Sequence, residues 1–335
     1  MGVITWMEQF MITEFERLFQ KVKQITEQHE SYLCLTAQQT EWLRSIDQNM
    51  LDTHGPDTSS PMLAATIISS IYGALDKDPM ETAPVIAACN ALWNAAHSFD
   101  DYTDHAMSKI LTGMQPAEMF MGIMAKGTIL PFHIIGQMDA PKATKERLNN
   151  CLAKELMRLF SGQAADLNLC SNKDFSINKL EKIVEWRQPI SLYAQLACEL
   201  ANAPLDVSKY YHDAGVKMDL AMSLSKDLYE CFTGEYADLK NGTRTLYFSV
   251  CLDALPKNKR GWFIGLLDDA NKNEESLQKV LSELRKVYMV QAFASQKNNY
   301  IDNAQQMLKQ AKPKEPYLSF LNDLIEAQRP ITLFY

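Results

Sequence analysis

Apolar residues recur every three to four positions along most of this 335-residue chain. That spacing is typical of amphipathic α-helices, and we find no convincing run with the strict alternation of β-strands. The predicted helices cover roughly 3–29, 37–50, 61–75, 81–108, 114–137, 142–168, 176–203, 207–233, 243–254, 258–270, 273–295, 297–311 and 315–328. The sequence therefore predicts an all-α fold.

Two of these helices are apolar nearly all the way round, in the stretches Met62–Ile68 and Val85–Cys89. Such helices are expected at the centre of a helical assembly, surrounded by others. A turn-rich cluster at Gly55–Pro61 precedes the first of them. Because no long Gly/Ser linker or fixed-period repeat divides the chain, we predict a single domain over 1–335, with residues 1–54 adding N-terminal helices.

Composition narrows the classes of function. The formal net charge of −8 argues against a nucleic-acid partner, since phosphate backbones attract a surplus of Lys and Arg. The seven cysteines include no CxxC pair, so neither a disulfide framework nor a thiolate zinc site is indicated. The most apolar stretch is interrupted by Glu118, Lys126 and Pro131, so we predict no integral membrane segment. A cytoplasmic location is expected.

An acidic motif follows one of the apolar runs. Asp100 and Asp104 are four residues apart and share a helix face, whereas Asp101 lies about 100° round the helix. Burying such unpaired like charges is unfavourable, and a bound cation removes the penalty. Carboxylate oxygens favour Mg²⁺, which completes its coordination with water and substrate phosphate. The motif therefore predicts a catalytic magnesium site at the mouth of an apolar cavity.

Two other interpretations of the acidic motif stay open. The three acids would also suit a plain solvated helix end. Alternatively, His97, Asp101 and His105 lie at i, i+4 and i+8, a spacing that would present a zinc-binding face.

With this acidic motif the sequence resembles the trans-isoprenyl diphosphate synthase (polyprenyl synthetase) family, whose first aspartate-rich motif is DDxxD. Further segments resemble later family motifs in the same order and at similar spacing: Ser161–Asp166 (GQxxD), Pro189–Ala194, Asp219–Glu230 (the second aspartate-rich region) and Asp238–Leu246. The resemblance covers about residue 55 to the C-terminus.

The resemblance implies an antiparallel helical bundle around a deep apolar cavity, a homodimer, and Mg²⁺ as cofactor. It implies diphosphate-binding roles for Lys109, Gln163, Asp166, Arg187, Lys240 and Arg244. It also implies a prenyl pocket formed by Leu92, Ala95, Ala96, Phe99 and Tyr193. Since Ala95 and Ala96 stand where a bulky residue would limit the tail, the predicted substrate is a prenyl diphosphate of C15 or longer. Trp93 or methionines from neighbouring helices would refill that space in the competing interpretation.

Several departures from the family pattern concern cations. The region Gly55–Pro61 lacks the bases that bind isopentenyl diphosphate, and only Lys109 remains of an Arg pair. Members of the family carry a Lys-Thr pair at the position where this chain has Gln188-Pro189, and Arg187 is adjacent. A second diphosphate needs fixed cations, so that site is predicted to be lost.

The second acidic region also departs from DDxxD, because it reads Lys226-Asp227-Leu-Tyr-Glu230. An alternative metal set lies on the same helix, where Asp219, Ser223 and Asp227 recur every four residues. That spacing resembles the metal triad of class I terpene cyclases. Either set, including Glu230, would hold a further magnesium.

These features predict an enzyme that ionises an allylic prenyl diphosphate and then cyclises or rearranges it, as terpene synthases do. The alternatives are a prenyltransferase acting on an aromatic or peptide acceptor, and a chain-elongating prenyl diphosphate synthase. A non-catalytic subunit of a prenyl synthase is the alternative of another class. The intact set of three aspartates argues against the last of these.

Overall fold

The computed structural model describes residues 2–30, 60–103, 115–169, 175–233 and 236–329. Every regular element in these ranges is helical, so the predicted all-α class is confirmed. In chain order the α-helices are α1 (Gly2–Glu30), α2 (Ser60–Ala74), α3 (Ala83–Thr103), α4 (Pro116–Met124), α5 (Leu130–Gln137), α6 (Lys142–Leu167), α7 (Ile177–Arg187), α8 (Ile190–Ala201), α9 (Leu205–Thr233), α10 (Ala237–Asn241), α11 (Leu246–Ala254), α12 (Lys257–Asp269), α13 (Glu274–Leu284), α14 (Val287–Ala311) and α15 (Tyr317–Glu326). A 3₁₀ turn (Pro79–Thr82) precedes α3, and a π-turn (Ala125–Ile129) joins α4 to α5. The predicted helix over 37–50 lies outside the described residues.

The chain forms two compact units. The first comprises Met1–Ala153, Tyr193–Ser208 and Pro313–Tyr317, and α3 is its central helix. Residues 85–89 of α3 are 0 % exposed, because α1, α2, α4, the π-turn and α5 all pack against this helix. The apolar surround predicted from the sequence is therefore present.

The π-turn of the first unit is anchored to the end of α1. Lys126 is only 1 % exposed, and its Nζ lies 3.3 Å from Oε1 of Glu30. One residue earlier, the ring of His29 meets that of His133 edge-on with centroids 5.1 Å apart. A buried ion pair and a ring contact thus join α1 to the segment after α4.

The second unit comprises Lys154–Leu192, Lys209–Lys312 and Leu318–Tyr335. Its central helix is α11, in which residues 246–251 are all buried and which packs against α7, α12 and α14. Tyr300 of α14 donates a hydrogen bond to Glu181 of α7 at 2.6 Å. The long helix α9 carries the second acidic region within this unit.

Two predicted helices are divided differently in the structure. The helix predicted over 176–203 is two helices, because Gln188 is extended (φ −101°, ψ 150°) before Pro189. A residue that precedes proline is disfavoured in the α conformation. The helices predicted over 273–295 and 297–311 instead divide at Arg285-Lys286, where Lys286 is extended. The short helix α10 was not predicted.

The continuous helical stretch Pro116–Gln137 is long and apolar enough to cross a membrane, judged by length and composition alone. Half of its most apolar window is buried within the first unit. Among the described residues it is the one helix of this kind, and a single such helix is weak grounds for a membrane span.

Candidate active site

The first acidic motif lies at the C-terminal end of α3, which continues to Thr103. Asp100 and Asp101 therefore belong to the predicted helix, although their side chains, and Asp104 and Lys109 entirely, lie outside the described residues. Magnesium binding by Asp100 and Asp104 thus stays a prediction. The helix that precedes the motif is buried as predicted, with Leu92 5 % exposed.

The two alanines of the predicted prenyl pocket, Ala95 and Ala96, lie in different surroundings. Ala95 is 2 % exposed and faces the π-turn, where a Cβ on Gly127 would lie 2.6 Å from the Cβ of Ala95. The main chain of the π-turn therefore fills the space beside Ala95, which contradicts the predicted gap at that position. Ala96 and Phe99 are half-buried, and Tyr193 is buried in the same unit. Ala96 remains the candidate for the pocket floor.

The zinc interpretation gains no support from the described part of α3. The ring of His97 packs edge-on against Trp93 with centroids 4.7 Å apart, which gives His97 a packing role. Throughout the described ranges, no group of three or more His, Cys, Asp or Glu side chains is arranged to hold a metal ion.

In the second unit, α6 and α7 approach closely enough to bring a predicted pair together. A Cβ on Gly162 would lie 2.8 Å from the Cβ of Trp186 and 2.9 Å from Cγ of Arg187, so only glycine permits this approach. One turn further along α6, Asp166 pairs with Arg187, with Oδ1 2.7 Å from Nη1. Two residues predicted to bind diphosphate are therefore neighbours. Gln163, which follows Gly162 on α6, is half-buried.

Carboxylates from α9 and α10 extend this group. Burial raises the pKa of Asp238, and the charge of Glu230 and a hydrogen bond with it add to the shift. Asp166 also raises the pKa of Asp238, whereas Lys226 lowers it. Burial and the charge of Asp238 raise the pKa of Asp227 to about 7. We call Asp166, Arg187, Lys226, Asp227, Glu230 and Asp238 the acidic cluster.

Asp227 has a second role as a helix cap. Its Oδ2 accepts a hydrogen bond of 3.0 Å from the main-chain N–H of Tyr247, in the first turn of α11. A carboxylate at a helix N-terminus accepts a hydrogen bond from an amide that has no partner within the helix. Its negative charge also interacts favourably with the positive end of the helix dipole. The contact fixes α9 against α11 at the position of the acidic cluster.

Asp219 is a buried cap for α8. It is 1 % exposed, and its two carboxylate oxygens accept hydrogen bonds of 2.9 and 3.0 Å from the N–H groups of Ile190 and Ser191. Burial raises the pKa of Asp219 to about 7, although these hydrogen bonds oppose the shift. Because both oxygens are engaged, the proposed metal set omits Asp219, and with it the triad that includes the half-buried Ser223.

The other predicted diphosphate-binding residues lie in different surroundings. Arg244 is 2 % exposed, forms an ion pair with Asp268 and stacks on the ring of Phe175 at 5.4 Å. This burial between partners indicates a structural role rather than the predicted one. Lys240 is exposed, with its Nζ 5.8 Å from the ring centre of Tyr236.

Asp238 was not predicted as a site residue, although it begins the segment Asp238–Leu246 that resembles a family motif. Its main-chain oxygen accepts a hydrogen bond of 2.8 Å from the N–H of Thr243, which closes the turn after α10. Gly242 adopts φ 72° in that turn, a conformation that glycine tolerates best. The Asn241-Gly242 pair was the available signal that the acid lies in a compact turn.

Several solved structures are similar to this chain over almost its whole length. The chain superimposes on the geranylgeranyl pyrophosphate synthetase of the archaeon Geoglobus acetivorans with a TM-score of 0.74 and 18 % identity, covering 92 % of this chain and 98 % of that one. This chain has the fold of the polyprenyl diphosphate synthases. The heptaprenyl diphosphate synthase of Staphylococcus aureus gives a TM-score of 0.72 at 14 % identity, covering 94 % and 99 %.

A third similar structure was solved with ligands. The geranylgeranyl pyrophosphate synthase of Corynebacterium glutamicum, complexed with isoprenyl diphosphate and magnesium, gives a TM-score of 0.72 at 12 % identity, covering 94 % of this chain and 98 % of that one. No known sequence family matches this chain, and no curated protein does either. The predicted fold is therefore confirmed through structure rather than through sequence similarity.

Proposed function

We propose that this chain is a magnesium-dependent enzyme of the isoprenyl diphosphate synthase kind, which ionises an allylic prenyl diphosphate. The observation that carries the proposal is the acidic cluster of the second unit. There, the carboxylates of Asp227, Glu230 and Asp238 accompany the Asp166–Arg187 pair and Lys226. The fold shared with prenyl diphosphate synthases supports the same assignment.

The charges of the cluster suit a divalent cation. Four carboxylates face two cationic side chains, which leaves two negative charges uncompensated when all are ionised. The raised pKa values of Asp227 and Asp238 follow first from burial and then from neighbouring negative charges. Mg²⁺ commonly uses one or two carboxylates and completes its coordination shell with water and phosphate. A site with three carboxylate ligands is therefore not required. Glu230 and Asp238 are the proposed ligands, whereas Asp227 beside them caps α11 through its Oδ2.

The residues divide the chemistry between them. Bound magnesium would withdraw charge from the diphosphate and stabilise it as the leaving group. Arg187 and Lys226 would add cationic contacts to the same group. An apolar surround would exclude water from the carbocation that remains when the allylic C–O bond breaks. Asp100 and Asp104 are proposed to bind magnesium in the same reaction.

Chain elongation is the finer assignment that the comparisons favour over the predicted cyclisation. The similar structures are synthases named for geranylgeranyl and heptaprenyl diphosphate. If this chain elongates, cations other than the bases missing from residues 56–60 must hold the second diphosphate. Those missing bases, and Gln188 beside the paired Arg187, favour cyclisation as the second candidate.

Incubation with C10, C15 and C20 allylic diphosphates, with and without isopentenyl diphosphate, separates the candidates. Elongation predicts a longer diphosphate only when isopentenyl diphosphate is added. Cyclisation predicts an organic-soluble product from one diphosphate alone, and a product formed only with an aromatic or peptide acceptor indicates transfer to that acceptor. If no diphosphate is released under any condition, the enzyme proposal fails and the non-catalytic subunit is favoured.

Substitutions in the first acidic motif test the metal assignment. Asp100→Ala and Asp104→Ala should each lower diphosphate release by orders of magnitude while the helical circular dichroism is unchanged. Asp101→Ala should have a smaller effect, because its position in the sequence places it about 100° round the helix from Asp100. Asp269→Ala, which alters an exposed acid at the end of α12, is the matched control. Full activity of the first two variants, or of the wild type in EDTA, would refute the assignment.

A further inference from the structure

The C-terminal end of α9 is held by a side chain that is distant in sequence. The guanidinium of Arg285 donates two hydrogen bonds to the main-chain oxygen of Cys231, from Nε at 3.1 Å and from Nη2 at 2.8 Å. A cation at this position also complements the negative end of the helix dipole. Arg285 therefore binds the main chain in the last turn of α9, next to Glu230.

The same guanidinium also contacts the start of α10. Its Nη2 donates a hydrogen bond of 3.1 Å to the hydroxyl of Tyr236, and it lies 5.9 Å from the centre of that ring. On α9 it lies 5.3 Å from the ring centre of Phe232. Planar guanidinium groups favour such combined stacking and hydrogen bonding. Arg285 thus joins the end of α9 to Tyr236, which precedes α10.

Tyr236 transmits this contact to Asp238. It adopts the left-handed conformation (φ 52°, ψ 31°), which is unfavourable for a bulky residue and persists only where surrounding contacts enforce it. Its main-chain oxygen accepts a hydrogen bond of 3.0 Å from the N–H of Lys240, so it forms the first turn of α10. Asp238 lies two residues beyond Tyr236 and is hydrogen-bonded to Glu230.

Arg285 is itself fixed by rigid packing. It is the C-cap of α13, and its main-chain N–H donates a hydrogen bond of 3.0 Å to the oxygen of Leu281. Leu281 and Leu284 are both fully buried. The contact with α9 and α10 therefore starts from a well-anchored helix end.

We propose that Arg285 is a positioning residue that holds Asp238 against Glu230, so that both carboxylates can bind one divalent cation. The inference rests on the proposed function of the acidic cluster. Arg285 touches the neighbour of Glu230 on one side and the residue that opens the Asp238 turn on the other. Without it, the two carboxylates would separate and the cation would lose one of its ligands.

Titration with Mn²⁺, followed by electron paramagnetic resonance, tests this role without prenyl substrate. The measurement uses an Asp100→Asn/Asp104→Asn background, so that the motif on α3 does not contribute. Arg285→Ala should weaken Mn²⁺ binding at least ten-fold. Arg285→Lys should give an intermediate loss, because lysine keeps the positive charge but lacks the planar set of N–H donors of a guanidinium. Asp238→Asn should match Arg285→Ala, and the double variant should add little further loss.

Arg260→Ala is the matched control. Arg260 also caps a helix end in this unit, through hydrogen bonds to the main-chain oxygens of Asp253 and Leu255, but lies outside the acidic cluster. It should leave Mn²⁺ affinity unchanged even if the melting temperature falls. Equal Mn²⁺ affinity in Arg285→Ala and Arg260→Ala, or no Mn²⁺ binding by the background protein, overturns the inference. If Arg285→Ala does not fold, unchanged affinity in Arg285→Lys has the same meaning. Failure of the proposed function is instead seen as wild-type protein that releases no diphosphate.

Discussion

Aspartates have two different roles in the second unit. Asp219 and Asp227 accept main-chain hydrogen bonds at the starts of α8 and α11, and so fix one helix against another. Asp238 faces Glu230 instead, and burial together with the charge of Glu230 raises its pKa. Identical side chains therefore differ in their roles according to the groups that face them.

Asp219 should make the stability of the protein depend on pH. Its pKa is raised from 3.8 to about 7 in the folded state, so its contribution is full below the unfolded pKa and is lost as the pH rises through 7. The wild-type free energy of unfolding should lose about 2–3 kcal/mol of this contribution between pH 5 and pH 8. Asp219→Asn should remove that component, measured by urea denaturation at each pH. Gly265→Ala, which adds no titrating group, should follow the wild-type profile, and an Asn variant that also did so would contradict the role.

Ala96 should limit the length of the prenyl tail. It is half-buried, whereas Ala95 is packed against Gly127, so Ala96→Phe should shift preference toward shorter allylic diphosphates. One isoprene unit buries five carbons, worth about 2–4 kcal/mol, which corresponds to at least a ten-fold change in the ratio of kcat/KM values. Ala95→Phe should instead lose stability through collision with the π-turn. An Ala96→Phe enzyme with the wild-type length preference would show that Ala96 is not the floor.

At the scale of helices, close approaches at glycine set how the elements meet. A Cβ on Gly215 of α9 would lie 2.7 Å from Cα of Ser191, at the start of α8. This contact brings Asp219, one turn further along α9, to the amides that it caps. Pro189 ends the preceding segment, so a local break and a distant cap together define where α8 begins.

Gly215→Ala should therefore destabilise the protein by about 1–3 kcal/mol, since main-chain atoms must shift to accept the methyl group. Gly265 offers a matched control, because it is helical and exposed, with no atom within 4 Å of an added Cβ. Gly265→Ala should stabilise by about 0.5–1 kcal/mol through helix propensity. Thermal or urea unfolding of both variants gives the comparison, and equal effects would refute the packing argument.

At the scale of the whole molecule, the helical stretch Pro116–Gln137 leaves apolar side chains exposed. Phe120, Met121 and Ile129 are 42 %, 65 % and 60 % exposed, while Lys126 between them is buried. Large apolar side chains exposed on one helical stretch are typical of a surface that another molecule covers, here with the exposed Glu118 on the same stretch. The homodimer expected from the sequence predicts that a second copy of this chain covers it.

Met121→Glu together with Ile129→Glu should convert a dimer into monomers, because two charges would be buried without partners. Sedimentation equilibrium measures the change directly. Val287→Glu is the control, since Val287 is 72 % exposed at the start of α14. A wild-type protein that sediments as a monomer, or a double variant that remains dimeric, would contradict the proposed interface.

The sequence by itself determined the helical class and most helix positions, because the 3.6-residue spacing of apolar side chains is a local property of the chain. It also located α3 as a central helix and placed the acidic motif at its end. A run of apolar residues followed by carboxylates can be recognised in the sequence without knowing which helices pack around it. Asp166 and Arg187 were predicted to bind diphosphate from the resemblance to family motifs, and the structure brings the two side chains together.

The tertiary structure decided which side chains meet. The contacts of Glu230 with Asp238, of Ala95 with Gly127 and of Asp219 with the amides of α8 depend on helix packing rather than on sequence spacing. Arg244 shows the same limit, because a basic residue in a matching motif is buried against Asp268. Whether a charged side chain reaches a site or a structural partner depends on the elements that pack around it, and local periodicity carries no information about them.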